Sequence, residues 1–167
     1  MIIALVIAVL LVAIDQVSKY LIAQNMTLGE SVSVIPKLLN FTYYHNDGMA
    51  LGLGSESFRW VFVGVTVVVC GVLIYLMFRP EFKSKLYFAA ATLIVAGGIG
   101  NLIDRILFGY VIDFLELSFF SPICNFADYC VTAGTVCLVL FILFYYGKAN
   151  KKKDEVTVVA ESSAESE

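Results

Sequence analysis

The residues of this chain best suited to chemistry are carboxylates and amides gathered at the ends of long apolar runs. Asp113 lies between Val111-Ile112 and Phe114-Leu115, and Asp128 opens the last apolar run three residues after Asn125. Asp15, Lys19, Asn46, Asn101 and Arg105 stand at the ends of other runs. Ionisable side chains are costly in hydrocarbon, so carboxylates at the boundary of a membrane span mark a site or a structural pair. Two carboxylates without metal ligands point to acid–base chemistry on a water, in which two acids share one proton, one activating the water while the other donates. Acids coupled in this way titrate as a pair.

Each of these residues also has a purely structural reading. Asp15 and Lys19 have i,i+4 spacing and can pair across one helical turn. Asn101 and Arg105 share that spacing and hence one helix face; Arg105 would either snorkel to headgroups or turn inward. The preceding Gly97-Gly-Ile-Gly100 favours the inward choice, because it lets another helix approach closely. Asn125 after Pro122 is a good N-cap, and Asp128 falls at the capping-box position. A carboxylate there is stabilised by the helix dipole by roughly 0.3–1 kcal/mol. Asp113 has no such structural account, and its apolar neighbours should raise its pKa. The expected resting state therefore has Asp128 ionised as the base and Asp113 protonated as the donor.

Other chemistries find little support. His45 is the single histidine and has no second His or Cys in ligand spacing, so a structural or surface role is expected. No Ser/His/Asp triad or Gly-rich phosphate cradle is visible. The four cysteines, Cys70, Cys124, Cys130 and Cys137, form no C-x-x-C pair; three lie inside apolar runs and read as small apolar filler in helices, and Cys124 alone is expected near a wet region. No basic stripe interleaved with aromatics points to nucleic acid.

The elements that must position these groups are membrane helices. Of 167 residues 60% are hydrophobic, and the mean hydropathy is +0.87, too apolar for a soluble domain of this length. Four stretches reach the ~20 residues a bilayer-crossing helix needs, at about 2–23, 60–78, 86–106 and 126–146. The first lacks the basic start and cleavage site of a secretory signal, so it reads as an uncleaved span. Together 1–147 read as one four-span domain, and 148–167 as a disordered cytoplasmic tail.

Between the first two spans, about 24–59, Ser31–Ile35 and Phe41–His45 are rich in β-branched and aromatic residues, and Asn46-Asp47-Gly48 is a turn signal. A small extracytoplasmic β-sheet segment is expected there. The segment Phe108 to Phe120 is apolar with acids at Asp113 and Glu116, which predicts a short interfacial helix or re-entrant stretch. The fold class is therefore membrane, mainly α. Basic residues in Arg79–Lys85 and after Gly147 place those segments and both termini in the cytoplasm. Asp15, Lys19, Asn46, Asn101, Arg105, Asp113, Asn125 and Asp128 then share the outer side, while the inner half of the bundle is nearly uncharged. A proton-relay transporter would spread its acids through the depth of the membrane. A metal-dependent lipid phosphotransferase would group several carboxylates around Mg²⁺, and a structural subunit would leave Asp113 unexplained.

The motifs resemble those of the bacterial lipoprotein signal peptidases, the type II signal peptidases, over residues 8–146. Asp15-Gln-Val-Ser-Lys19 is similar to the family's D-Q-x-[ST]-K, and Asn46-Asp-Gly-Met-Ala-Leu-Gly52 to N-x-G-x-A-[FW]-G. Gly97-Gly-Ile-Gly-Asn-Leu-Ile-Asp-Arg105 matches G-G-x-x-G-N-[LFI]-x-D-R, Val111-Ile-Asp-Phe114 matches V-x-D-F, and Asn125-Phe-Ala-Asp128 matches F-N-x-A-D without its leading Phe. Any one is weak; five in order are specific. The resemblance implies an aspartic endopeptidase of the bacterial cytoplasmic membrane, with Asp113 and Asp128 as the catalytic pair. Asp15, Lys19, Asn46, Gly48, Asn101, Arg105, Asn125 and Ala127 would support the site or bind substrate. It implies cleavage of prolipoproteins just before a diacylglyceryl-modified cysteine, without metal or cofactor, by a monomer surrounded by membrane lipids and inhibited by globomycin-type peptides. Met49, Leu51 and Cys124 depart from the family's usual small residue, aromatic and Phe. They bear on the shape of the substrate pocket, since each lies beside the polar motif positions.

Overall fold

The structure is a computed structural model that describes residues 1–48, 56–120 and 122–146. Met49, Leu51 and the tail at 148–167 lie outside the described residues. Four helices, α1 (Ile2–Asn25), α2 (Glu56–Met77), α3 (Lys85–Leu107) and α4 (Phe126–Leu140), carry the apolar runs, and a wider π-turn, Phe141–Tyr146, continues α4. Each is long and apolar enough to cross a bilayer. Large aliphatic side chains such as Leu5, Val9, Val65, Val68 and Leu143 point out of the bundle. In a membrane that is the lipid-facing surface.

Helix α3 is central and packs against the other three. Its small residues make this possible. A Cβ on Gly97 would run into the Ala127 carbonyl and lie 2.8 Å from Val131 Cγ2, and one on Gly134 of α4 would lie 2.9 Å from the Ala90 carbonyl. Without a hydrophobic drive between helices in lipid, such close backbone approach is the main source of packing energy. Away from the polar end, Leu73, Met77, Tyr87, Ile94 and Phe141 form an apolar core. The Tyr87 hydroxyl is satisfied there by donating to the Leu73 carbonyl at 3.0 Å.

At the end of the bundle where α1 and α3 finish and α4 begins lies an antiparallel four-stranded sheet. Its order is β1 (Ser31–Ile35), β2 (Leu39–Asn46), β3 (Val111–Leu117), β4 (Ile123–Cys124). The expected strands at 31–35 and 41–45 are present, the second slightly longer. The segment 108–120 corrects the sequence reading: its core is strand β3, not an interfacial helix. Val111, Ile112, Asp113 and Phe114 are all buried, because both faces of the strand are covered. A strand buried on both faces reads as a continuous apolar run, and periodicity cannot tell that from a helix. Ile112 and Phe114 pack with Ile22 of α1 and Tyr43 of β2. Alternation along the strand turns Val111 and Asp113 to the opposite face.

Candidate active site

Three strands of chain meet at Asp113. β2 and β3 pair with Tyr44 opposite Asp113 and Asn46 opposite Val111, so Asn46 is the diagonal neighbour of Asp113 on one face. The Asn46 amide donates to Asp113 Oδ2 at 2.8 Å. Its orientation is fixed from behind, because Asn46 Oδ1 accepts the Gly48 N–H at 3.0 Å. Gly48 has φ +81°, a conformation side chains rarely adopt, and the Phe62 ring occupies the space where a Cβ would point. The pairing of β3 with β4 then delivers Asn125 to the other oxygen: its Nδ2 donates to Asp113 Oδ1 at 2.6 Å.

Asn125 is also the N-cap of α4. Its Oδ1 accepts from the Asp128 N–H at 3.0 Å, and Asp128 Oδ2 accepts from the Asn125 N–H at 3.0 Å, a complete capping box. Asp128 keeps its second oxygen for α3, where Asn101 Nδ2 donates to Oδ1 at 2.8 Å. The two carboxyl groups are thus both bonded to one residue, Asn125, through its side chain on one side and its backbone on the other. Asp113 is 1% exposed and Asn125 fully buried. Burial pushes the Asp113 carboxyl up to about 6, against the opposing effect of the Asn46 donor; the nearby Asp128 charge pushes the same way as burial.

Beneath this pair lies a second polar layer. Lys19 donates to Asp15 Oδ2 at 2.9 Å, Asp104 Oδ2 at 3.0 Å and Asn101 Oδ1 at 3.0 Å. The three N–H donors of an ammonium are therefore all used. Asn101 Oδ1 also accepts from Asn125 Nδ2 at 3.0 Å. Asp15 Oδ1 accepts the Ala127 N–H at 2.9 Å, tying α1 to the first turn of α4. Ala127 must be small, since its carbonyl and Cβ lie against Gly97 and Gly100. Arg105 sits over the Phe62 ring at 5.2 Å and within electrostatic reach of Asp128, Asp113 and Asp104. It makes no ion pair within 4.0 Å among the described residues; its Nη1 reaches the Asn101 carbonyl at 3.5 Å.

Asp15, Lys19, Asn46, Gly48, Asn101, Asp113, Asn125, Ala127 and Asp128 are therefore one connected cluster, with Arg105 beside it. Two further members, Gln16 and Asp104, lie in the motifs read from the sequence without being assigned to the site. Asp104 bonds Lys19, accepts from Gln16 Nε2 at 2.9 Å and takes the Ile112 N–H at 3.1 Å, clamping the strand one residue before Asp113. Gln16 further donates to the Gly100 carbonyl at 3.1 Å. The usable signal was that each adjoins a residue already singled out, Asp15 for Gln16 and Arg105 for Asp104. His45 is stacked on Tyr110 with centroids 3.7 Å apart and bonded to the Tyr43 hydroxyl at 2.9 Å, and burial lowers its pKa. Among the described residues no three His, Cys, Asp or Glu side chains converge to hold a metal ion. The four cysteines are free thiols; Cys124, half-buried on β4, adjoins Asn125.

Fold and site together define a polytopic membrane protein with a buried pair of carboxyl groups at one end of a four-helix bundle. Comparison with known proteins makes the class specific. The family model described as "Signal peptidase (SPase) II" matches residues 7–144. The lipoprotein signal peptidases of Staphylococcus aureus strains JH9 and Newman are each 37% identical over 156 residues, covering 92% of this chain and 94% of theirs. Two solved structures of a bacterial membrane enzyme, obtained by the in meso method at 2.3 and 1.9 Å resolution, superpose with TM-scores of 0.78 and 0.79. They are 36% and 34% identical, over 86% and 87% of this chain and 88% and 95% of theirs. The chain belongs to the signal peptidase II family.

Proposed function

We propose that this protein is an aspartic endopeptidase that removes signal peptides from bacterial prolipoproteins, cutting on the N-terminal side of a diacylglyceryl-modified cysteine. Asp128 takes the proton of a water held between the two carboxyl groups. The resulting hydroxide attacks the scissile carbonyl carbon, and Asp113 gives its proton to the amide nitrogen as the C–N bond breaks. The observation that carries this reading is that Asn125 bonds both Asp113 and Asp128, holding two carboxyl groups around one buried residue. Within the bonded cluster itself, four acids (Asp15, Asp104, Asp113, Asp128) are grouped with Lys19, and Arg105 stands beside them, which favours one proton held between the pair. A carboxyl poised at about 6 can hold and release a proton near neutrality.

The substrate's acyl chains stay in the bilayer while its peptide reaches the site between helices. The positive residues of Arg79–Lys85 and of the tail support cytoplasmic termini, with the carboxyl pair towards the outer face. Residues 1–147 act as one unit and 148–167 are dispensable. The test is cleavage of a lipidated prolipoprotein by purified protein, with and without EDTA. Asp113→Asn and Asp128→Asn should each lose about 10²–10⁴-fold in rate, and EDTA should have no effect. Either variant retaining wild-type turnover refutes the pair.

A further inference from the structure

At the end of the bundle opposite the carboxyl pair, the starts of α1 and α3 part to leave a groove of about 680 Å³. Its walls are Ile3, Ala4 and Ile7 from α1 and Phe88, Ala89 and Leu93 from α3. Thr92 also lines it, but its hydroxyl is spent on the Phe88 carbonyl at 2.6 Å, so the wall it contributes is apolar. At the mouth stand Lys83 and Lys85, both exposed, on either side of the N-cap Ser84. Neither lysine joins an ion pair among the described residues, and no acidic residue lines the groove.

We propose that this groove binds an anionic phospholipid of the bilayer, its phosphate between Lys83 and Lys85 and one acyl chain along Phe88 and Leu93. Three observations favour that occupant over a peptide or a second copy of the chain. The unpaired charge is all positive and confined to one end. Apart from Ser84, whose hydroxyl oxygen accepts the Leu86 N–H at 3.3 Å, the remaining lining is apolar. From Lys85 to Leu93 the helix rises about 12 Å at 1.5 Å per residue, most of the ~15 Å depth of one leaflet's hydrocarbon. Head and tail contacts are therefore spaced as in a lipid standing upright in the membrane. Basic pockets between membrane helices hold phosphate headgroups by this combination.

The full-length protein in neutral detergent is titrated with phosphatidylglycerol or phosphatidylcholine, and bound lipid is counted by native mass spectrometry. Wild type should prefer phosphatidylglycerol by about 30-fold, the effect of two lysines near a headgroup. K83Q/K85Q should bind both lipids equally. Ala89→Trp, which fills the groove from an exposed position, should weaken both lipids. Equal binding of the two lipids by wild type, a preference that survives K83Q/K85Q, or unchanged binding in Ala89→Trp overturns the proposal. So does displacement of phosphatidylglycerol by equimolar glycerol 3-phosphate, which would place the affinity in the charges alone. None of these readouts depends on peptidase activity.

Discussion

Replacing Lys19 with Met keeps the length and apolar stem of the side chain and removes only its charge and donors. In the folded protein Lys19 is 2% exposed and its ammonium serves Asp15, Asp104 and Asn101 at 2.9–3.0 Å. Asp15 would keep the Ala127 N–H and Asp104 the Ile112 N–H, but both charges would lose the cation that balances them. Breaking a buried pair by deleting one partner costs about 3–5 kcal/mol. At roughly 2–4 °C per kcal/mol for a chain of this size, that is a fall of roughly 6–20 °C in Tm. Cys70 and Cys130 are buried, so a thiol-reactive fluorophore reports unfolding in detergent directly. Adding Asp104→Asn to the Met variant removes one orphaned charge and should restore part of the loss, a coupling of about 1 kcal/mol or more. A single variant within about 2 °C of wild type, or strict additivity in the double variant, would show that Lys19 does not balance these acids.

Gly100→Ala should cost about 1–3 kcal/mol by overpacking, because its Cβ would lie 2.6 Å from Asp15 Oδ2. Gly71→Ala, with nothing within 4 Å, is the control and should be neutral or slightly stabilising in the same melting assay. For pH dependence, a protonated Asp113 donor makes kcat/KM fall as pH rises through about 6. The Asn46 donor favours the ionised form, so Asn46→Ala should move that alkaline limb upward; a downward or absent shift in the pH–rate profile contradicts the assignment. Asn125→Ser should keep the helix cap to within a few tenths of a kcal/mol. It should nonetheless lower cleavage by about 10–100-fold, since a serine hydroxyl held at the Asp128 N–H is too short to replace the Asn125 Nδ2 contact with Asp113.

What was legible in the sequence followed from how local each signal is. The spans could be read because twenty apolar residues in a row have few other uses, and Asp15–Lys19 and Asn125–Asp128 because their partners are one helical turn apart. Asp113 stood out because an acid among Val, Ile, Phe and Leu has no local partner. Strand β3 was misread for the same reason: its apolar run is buried by two different neighbours, the end of α1 and the underside of the site, and no local pattern encodes that. Asp104 and Gln16 stand in the motifs, but their roles are not legible there because their partners are remote. Gln16 meets Asp104 across 88 residues of sequence, and Asp104 meets the Ile112 N–H, which only the path of β3 brings to it.

The capping reading and the functional reading of Asp128 look like rivals in the sequence, but the capping box also reaches Asp113, so the role proposed for Asp128 needs no geometry other than the cap. An N-cap requires Asn125 Oδ1 to face the Asp128 N–H; because the amide is planar, Nδ2 must then face away from the helix, where Asp113 and Asn101 accept it. The reciprocal half of the box holds Asp128 Oδ2 on the Asn125 N–H, which leaves Oδ1 aimed at Asn101. Capping alone would be served as well by serine or aspartate, but neither offers, beside the accepting oxygen, a donor of this reach in the same plane. The helix start therefore does more than stabilise α4. It holds one carboxyl group through the backbone N–H of Asn125 and grips the other through that residue's amide, so both are tied to a single capping residue.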